Sequence, residues 1–195
     1  MESPVTPEII KQIEADMLES SANFSRLAQQ ANEIAAAAQI MIDSLKNGGK
    51  VMFCGNGGSA ADAQHLAAEL MGRYLRDRRP LAGIALTTDT SALTAIGNDY
   101  SFKDVFSRQL RGLGRAGDVL VGITTSGNSE NILDAARYSK EMGIAVIGLT
   151  GAGGGKLAPL CDMCIRVPAG ATNRIQEMHI AVGHTLCGLV EEAVC

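Results

Sequence analysis

Five short runs, rich in β-branched and apolar residues on consecutive positions, recur from residue 50 onward: Lys50–Cys54, Gly83–Leu86, Val119–Ile123, Ala145–Leu149 and Met163–Val167. A strand with one wet face alternates apolar and polar residues, whereas a run apolar on both faces belongs to a sheet covered on both sides. Helical stretches separate the runs, at 57–76, 90–111 (in pieces), 129–142, 154–160 and 172–194. Such crossovers are long enough to bring successive strands parallel. The pattern predicts a three-layer α/β/α sandwich around a central five-stranded parallel sheet. Ligands on such sheets bind at the carboxyl ends of the strands, where this chain places its glycine and Ser/Thr loops.

A different period precedes the sheet. Residues 8–47 hold no proline or glycine, and Ile10, Ile13, Met17, Phe24, Leu27, Ala31, Ile34, Ala38, Met41 and Leu45 recur at steps of three and four, with Ser20 as the one polar member. That is a helical seam of the bundle kind. It predicts two helices, broken near 29–32, forming an N-terminal arm over 1–48 ahead of a domain over 49–195. The seam is longer than a small sheet needs for cover, so the arm is expected to pack on the domain and on another subunit. With 195 residues there is room for a single full α/β domain.

Composition removes several function classes. The net charge of -4, without any basic run, gives no electrostatic footprint for nucleic acid, and a chain without tryptophan offers little stacking surface for bases. No apolar run approaches the roughly 20 residues that span a bilayer. The start, Met1-Glu2-Ser3-Pro4, is acidic and polar and does not read as a signal peptide. The 5 cysteines form an odd set without framework spacing, which fits a reducing cytoplasm. Cys161-x-x-Cys164 has no second ligand pair at zinc-finger spacing. Placed in a strand, its two side chains would face opposite ways, so the pair reads as small buried hydrophobes.

The chemistry concentrates in two strand-to-helix turns. Gly55-Asn56-Gly57-Gly58-Ser59-Ala60 opens a helix that carries His65-x-x-x-Glu69. A glycine turn at a helix N-terminus frees backbone N–H groups for an anion, and residues four apart on a helix share a face. The turn also fits the dinucleotide pattern G-x-G-x-x-A, but the ribose-binding acid that such a fold needs about 20 residues later is missing, since the second strand ends Leu86-Thr87-Thr88. The second turn, Thr124-Thr125-Ser126-Gly127-Asn128-Ser129, packs four hydroxyls and a glycine before a helix. That exceeds what helix capping needs and points to a tetrahedral anion such as phosphate. All three histidines fall in two helical segments, with His179 and His184 on the last one.

Together these motifs resemble the sugar-isomerase (SIS) family, and within it the bacterial phosphoheptose isomerases. The resemblance is carried, in family order, by Phe53-Cys54-Gly55-Asn56-Gly57-Gly58-Ser59-Ala60, His65-x-x-x-Glu69, Gly72-Arg73-Tyr74, Gly97-Asn98-Asp99, Thr124 to Ser129, and Arg174-Ile175-Gln176-Glu177-Met178-His179 with His184. It implies a flavodoxin-like fold and conversion of sedoheptulose 7-phosphate to D-glycero-D-manno-heptose 7-phosphate, the first step toward the heptose of bacterial surface polysaccharide. It implies one zinc ion per subunit on His65, Glu69, Gln176 and His184. It implies substrate contacts from Asn56, Gly57, Gly58, Ser59, Glu69, Asn98, Asp99 and Gln176, with phosphate on Thr124, Thr125, Ser126 and Ser129. Family members are homotetramers with sites built between subunits, which the resemblance implies for this chain. Asn173 stands where many members have Asp, and Thr124 where many have Ser. Gln176 and His184 lie eight residues apart, about 12 Å along a helix, so periodicity alone would sooner pair Glu177 with His184.

An aldose–ketose interconversion through an enediol needs a base over the C1–C2 edge and a partner for the oxygen protons. Glu69 and His184 are the expected catalytic pair. The alternative reading is a non-catalytic SIS-domain protein that binds other proteins as a regulator of the replication-initiation type. Such a binder has no use for Glu69 and His184 together. A third reading, the sensing domain of a transcription regulator, wants a basic recognition helix that the arm lacks.

Overall fold

Along β1 (Val51–Gly55), Val51 and Phe53 enter one apolar core while Met52 and Cys54 enter another. β3 (Val119–Thr124) and β4 (Ala145–Gly151) divide their side chains the same way. A strand with a core on each side has no wet face, which is why its sequence does not alternate. The computed structural model, which describes residues 5–195, adds β2 (Gly83–Ala85) and β5 (Met163–Val167) to complete one sheet. Its order is β2-β1-β3-β4-β5, and every pairing is parallel. The expected three-layer sandwich is therefore present. The acidic Met1-Glu2-Ser3-Pro4 start lies outside the described residues.

Helices α2 (Ala31–Lys46), α3 (Gly58–Met71) and α7 (Thr172–Val194) cover one face of the sheet. α5 (Val105–Leu113) and α6 (Glu130–Glu141) cover the other, with α4 (Thr90–Asp99) leading into α5 through a single 3-10 turn. The strand order reverses direction between β1 and β3, and the crevice at such a switch point is where ligands bind in open α/β sheets. Both turns singled out in the sequence emerge there.

α1 (Pro7–Leu27) and α2 meet at a short 3-10 break over Ala28–Gln30, one residue before the expected place. Only the second half of the seam is covered by this chain. Ala38, Met41 and Leu45 are buried, whereas Ile10, Ile13 and Met17 are exposed. α1 adds only its last residue, Leu27, to the core and is otherwise held through polar groups. The buried Arg174 guanidinium of α7 bonds Asp16 at 2.9 Å, Glu19 at 3.1 Å and the Ser20 hydroxyl at 3.0 Å. Ser20 in turn donates to Glu177 at 2.7 Å, so the polar member of the seam is its anchor.

Two local expectations give way. Residues 154–160 do not form a helix. Gly153-Gly154-Gly155 disfavour one, and only a 3-10 turn forms, at Ala158–Leu160. Because that turn ends at Leu160 and β5 starts at Met163, Cys161 lies outside the strand. The two sulfurs of Cys161-x-x-Cys164 consequently do not face apart. Both stand over Gly148, where a Cβ would lie 2.6 Å from Cys161 Sγ and 3.4 Å from Cys164 Sγ.

Candidate active site

α3 and α7 run side by side, and their approach is set by Gly183, where a Cβ would press to 2.5 Å of Leu66. That close packing brings the neighbouring His184 against His65. Their Nε2 atoms are 2.9 Å apart, and Glu69 Oε1, one turn along α3, is 3.1 Å from His65 Nε2. One ligand atom from each of His65, Glu69 and His184 lies within 4.8 Å of the others, a cluster able to hold a metal ion. Two imidazoles and a carboxylate form the donor set of a catalytic zinc site that keeps one position open. Two Nε2 atoms at hydrogen-bond distance require one ring to donate or a cation to sit between them.

Of the surroundings of this cluster, only Tyr74 fell in a motif read from the sequence; Asp62 and Glu191 did not. Asp62, one turn before His65, has a buried Oδ2 without a hydrogen-bond partner, and burial raises its carboxyl above the ordinary range while His65 and His184 pull it back. Tyr74 stacks on His184 with ring centroids 5.8 Å apart. The loop carrying Tyr74 is clasped by the buried Glu191, which accepts N–H bonds from Tyr74, Leu75 and Arg76 at 2.9 to 3.0 Å and pairs with Arg78 at 3.0 Å.

Across the switch point the two turns are locked together. Asn56 and Asn131 exchange side-chain amide bonds, each of 2.9 Å, tying the glycine turn to the first turn of α6. Gln176 lies over Gly58, its amide within 2.7 Å of a Cβ position there, about two helical turns from the His65–Glu69–His184 cluster. In the second turn Thr124 Oγ1 is 2.9 Å from Ser129 Oγ, and Ser126 Oγ accepts from Asn128 N at 3.1 Å. Ser129 holds the N-cap position of α6 without bonding the helix, so its hydroxyl is not used as a cap. Gly127 adopts φ +66°, and a Cβ there would strike the Gly154 carbonyl. Asn98 and Asp99 sit at the exposed end of α4, where Asn98 donates to Asp99 at 2.9 Å.

The SIS domain profile matches residues 18–151. The chain is 66% identical over 172 residues to a phosphoheptose isomerase of Rhodospirillum rubrum, covering 88% of this chain and 92% of that protein. The chain belongs to the phosphoheptose isomerase family. Another relative, from Nitratiruptor, is 53% identical and covered in full, by 95% of this chain. Among solved structures, a phosphoheptose isomerase from Neisseria gonorrhoeae matches with TM-score 0.90 and 48% identity, over 94% of this chain and 99% of that one. One from Francisella tularensis gives TM-score 0.91 at 39% identity, over 94% and 98%.

The third histidine plays a different part in this family member. His179 is fully buried, and its ring lacks a well-formed hydrogen bond, the approach of the Thr150 backbone only partly offsetting the loss of water. Burial lowers its pKa to about 4. An unfolded chain binds that proton near pH ~6.5, so stability falls as the pH drops from there toward 4, by on the order of 3 kcal/mol. Urea midpoints at neutral pH and at pH about 5, compared with a His179→Leu variant, check this. A wild type and a variant that lose stability equally in acid would refute it.

Proposed function

We propose that this chain interconverts sedoheptulose 7-phosphate and D-glycero-D-manno-heptose 7-phosphate, as an aldose–ketose isomerase of phosphorylated heptoses. The observation that carries the reading is the His65–Glu69–His184 cluster on helices that leave the same sheet as the hydroxyl-rich turn at its switch point, in a chain so close to proteins named phosphoheptose isomerase. The phosphate rests on Thr124, Thr125, Ser126 and Ser129, where hydroxyls and the α6 N-terminus meet its charge. Asn56, Gly57, Gly58, Ser59 and Gln176 line the path from there along the sugar, with Asn98 and Asp99 contributing from the exposed end of α4.

Glu69 shuttles the carbon proton between C1 and C2, and His184 handles the oxygen protons, with Tyr74 holding its ring. His65, Glu69 and His184 are the residues that would hold one zinc ion, and Gln176, the family's fourth ligand, would have to reach them from its place over Gly58. Zinc bound there would supply Lewis-acid polarisation of the sugar carbonyl. The carboxylate has two oxygens, so Oε1 can face His65 while the other faces the substrate.

The N-terminal arm, residues 1–48, joins this domain to other copies of the chain in a homotetramer whose sites are completed between subunits. The exposed Ile10, Ile13 and Met17, and an apolar cavity of about 550 Å³ between Phe24, Leu27, Ile34, Val182 and Leu189, support that reading. So do Asn98 and Asp99, which face solvent in the single chain. The reducing cytoplasm is the proposed compartment, and no helix among the described residues is long and apolar enough to cross a membrane.

Turnover of sedoheptulose 7-phosphate by metal-stripped and zinc-reloaded protein tests the proposal. Zinc-dependent aldose formation, with solvent deuterium entering at C2 in deuterium oxide, is expected. Full retention of protium at C2 would sink the enediol route. Sugar-phosphate binding without turnover in either metal state would move the chain to the regulator class.

A further inference from the structure

We infer that Cys161 and Cys164 form a peroxide-sensitive dithiol whose closure to a disulfide loosens the phosphate turn. The inference rests on the reading of Thr124–Ser129 as the phosphate site for its consequence, but not for the chemistry of the thiols.

The pair is preassembled. Both sulfurs stand over the bare Gly148 of β4, and the Cys161 S–H is within reach of the Cys164 sulfur and of the Leu157 carbonyl oxygen, 3.3 Å away. Cys164 also lies 3.6 Å from the Thr150 hydroxyl and near the Arg166 guanidinium. These donors, the Cys161 S–H foremost, lower the Cys164 thiol to about 6, while the same contact raises Cys161. By contrast, burial pushes Cys54 and Cys187 up to about 12. Cys164 is half-buried and lines a surface depression with Gln30, Glu33 and Arg166, so a small oxidant reaches it. A partly exposed thiolate with a second thiol beside it has the features of a redox-sensing pair.

The chemistry balances with hydrogen peroxide as the oxidant. The Cys164 thiolate attacks one peroxide oxygen. The S–O bond forms, the O–O bond breaks, and hydroxide leaves to take up a proton as water. The Cys161 sulfur then attacks Cys164 and loses its proton. The S–S bond forms and the S–O bond breaks, releasing a second water. Two electrons pass from the sulfurs to the peroxide, and a thiol reductant reverses the change.

Closure reaches the phosphate turn through the backbone. Cys161 must surrender its bond to the Leu157 carbonyl, and the N–H of Leu157 donates to the Gly127 carbonyl at 2.9 Å. The adjoining Lys156 N–H donates to the Asn128 side chain at 3.1 Å, and Gly154 and Gly155 press against Gly127. The segment 154–157 therefore buttresses the loop that supplies Ser126 and Ser129. Its displacement costs affinity for the anion on the scale of one hydrogen bond, about fivefold.

The test uses full-length protein with Cys195→Ser, since Cys195 is exposed. After one equivalent of peroxide, the tryptic peptide 157–166, which holds both cysteines, is expected to lose two hydrogens in mass and to regain them with dithiothreitol. Cys161→Ser is expected to leave a sulfenic acid on Cys164 that dimedone traps. Inorganic phosphate binding, read by calorimetry, is expected to weaken about fivefold in the oxidised form and to stay unchanged by peroxide in Cys164→Ser. A peptide 157–166 that stays reduced while other thiols oxidise would overturn the site. A disulfide that leaves phosphate affinity unchanged would overturn the coupling. Absence of isomerase turnover in the reduced protein would count against the enzyme reading, while the peptide mass still reads the dithiol.

Discussion

Replacing Glu69 by Gln lowers kcat for sedoheptulose 7-phosphate by a factor on the order of 10² to 10⁴, the range general acid–base catalysis supplies. Two roles of Glu69 compete for the explanation, and their magnitudes separate them. As an i, i+4 partner of His65 on a partly exposed helix face, it is worth only a few tenths of a kcal/mol. Losing that alone would change neither the fold nor the rate by much. As the proton shuttle it has no substitute, because an amide of the same shape neither takes up the carbon proton nor carries charge toward a metal. The expected result is thus a protein with wild-type melting behaviour and almost no turnover. Steady-state kinetics beside a thermal melt measure both. A kcat within tenfold of wild type would remove Glu69 from the chemistry and leave it as a helix-face residue.

How far the sequence disclosed this site depended on the range of each interaction. The sheet was legible because burial on both faces acts on neighbouring residues, and Val51–Cys54 and Val119–Ile123 carry it openly. His65 and Glu69 were legible as a pair because the α-helical period joins them. That His184 completes the cluster is a matter of α3 against α7, set by Gly183 and Leu66, and no local period reports it; the family resemblance supplied it. The Asn56–Asn131 exchange is hidden for the same reason, as is the clasp of Glu191. Cys161 was misread because it was counted into the strand, whereas the run starts at Met163 and Cys161 precedes it on a turn, which changes the side its sulfur faces. The arm's seam was correct as a helix signal, but its period cannot say whether this chain or another covers Ile10 and Ile13.

Glu191→Leu is expected to cost about 3–5 kcal/mol, the price of leaving one half of a buried ion pair alone. Arg78 and Glu191 have side chains only 4% and 3% exposed, so the guanidinium, still bonded to the Glu69 and Leu70 carbonyls, is left without a counter-ion and cannot turn to water without opening the loop. Three backbone N–H groups lose their acceptor in the same step. For a chain of this size, the melting temperature falls by roughly 2–4 °C per kcal/mol, so a drop near 10 °C follows. Burial alone would raise the Glu191 carboxyl, but the three N–H bonds and Arg78 outweigh it and hold it below the usual carboxylate range. Its stabilising contribution is therefore complete above the unfolded carboxylate pKa and lost as the pH falls through the lower folded one. Arg78→Met in the Glu191→Leu background removes the stranded charge and is expected to restore part of the stability. The damage also reaches function, because the same loop lays Tyr74 on His184. A freed Tyr74 releases the imidazole, so kcat is expected to fall in the folded fraction while phosphate affinity, on the proposed Thr124–Ser129 site, holds. A Glu191→Leu protein that melts within about 2 °C of wild type would show that the loop relaxes and the clasp carries little of the fold.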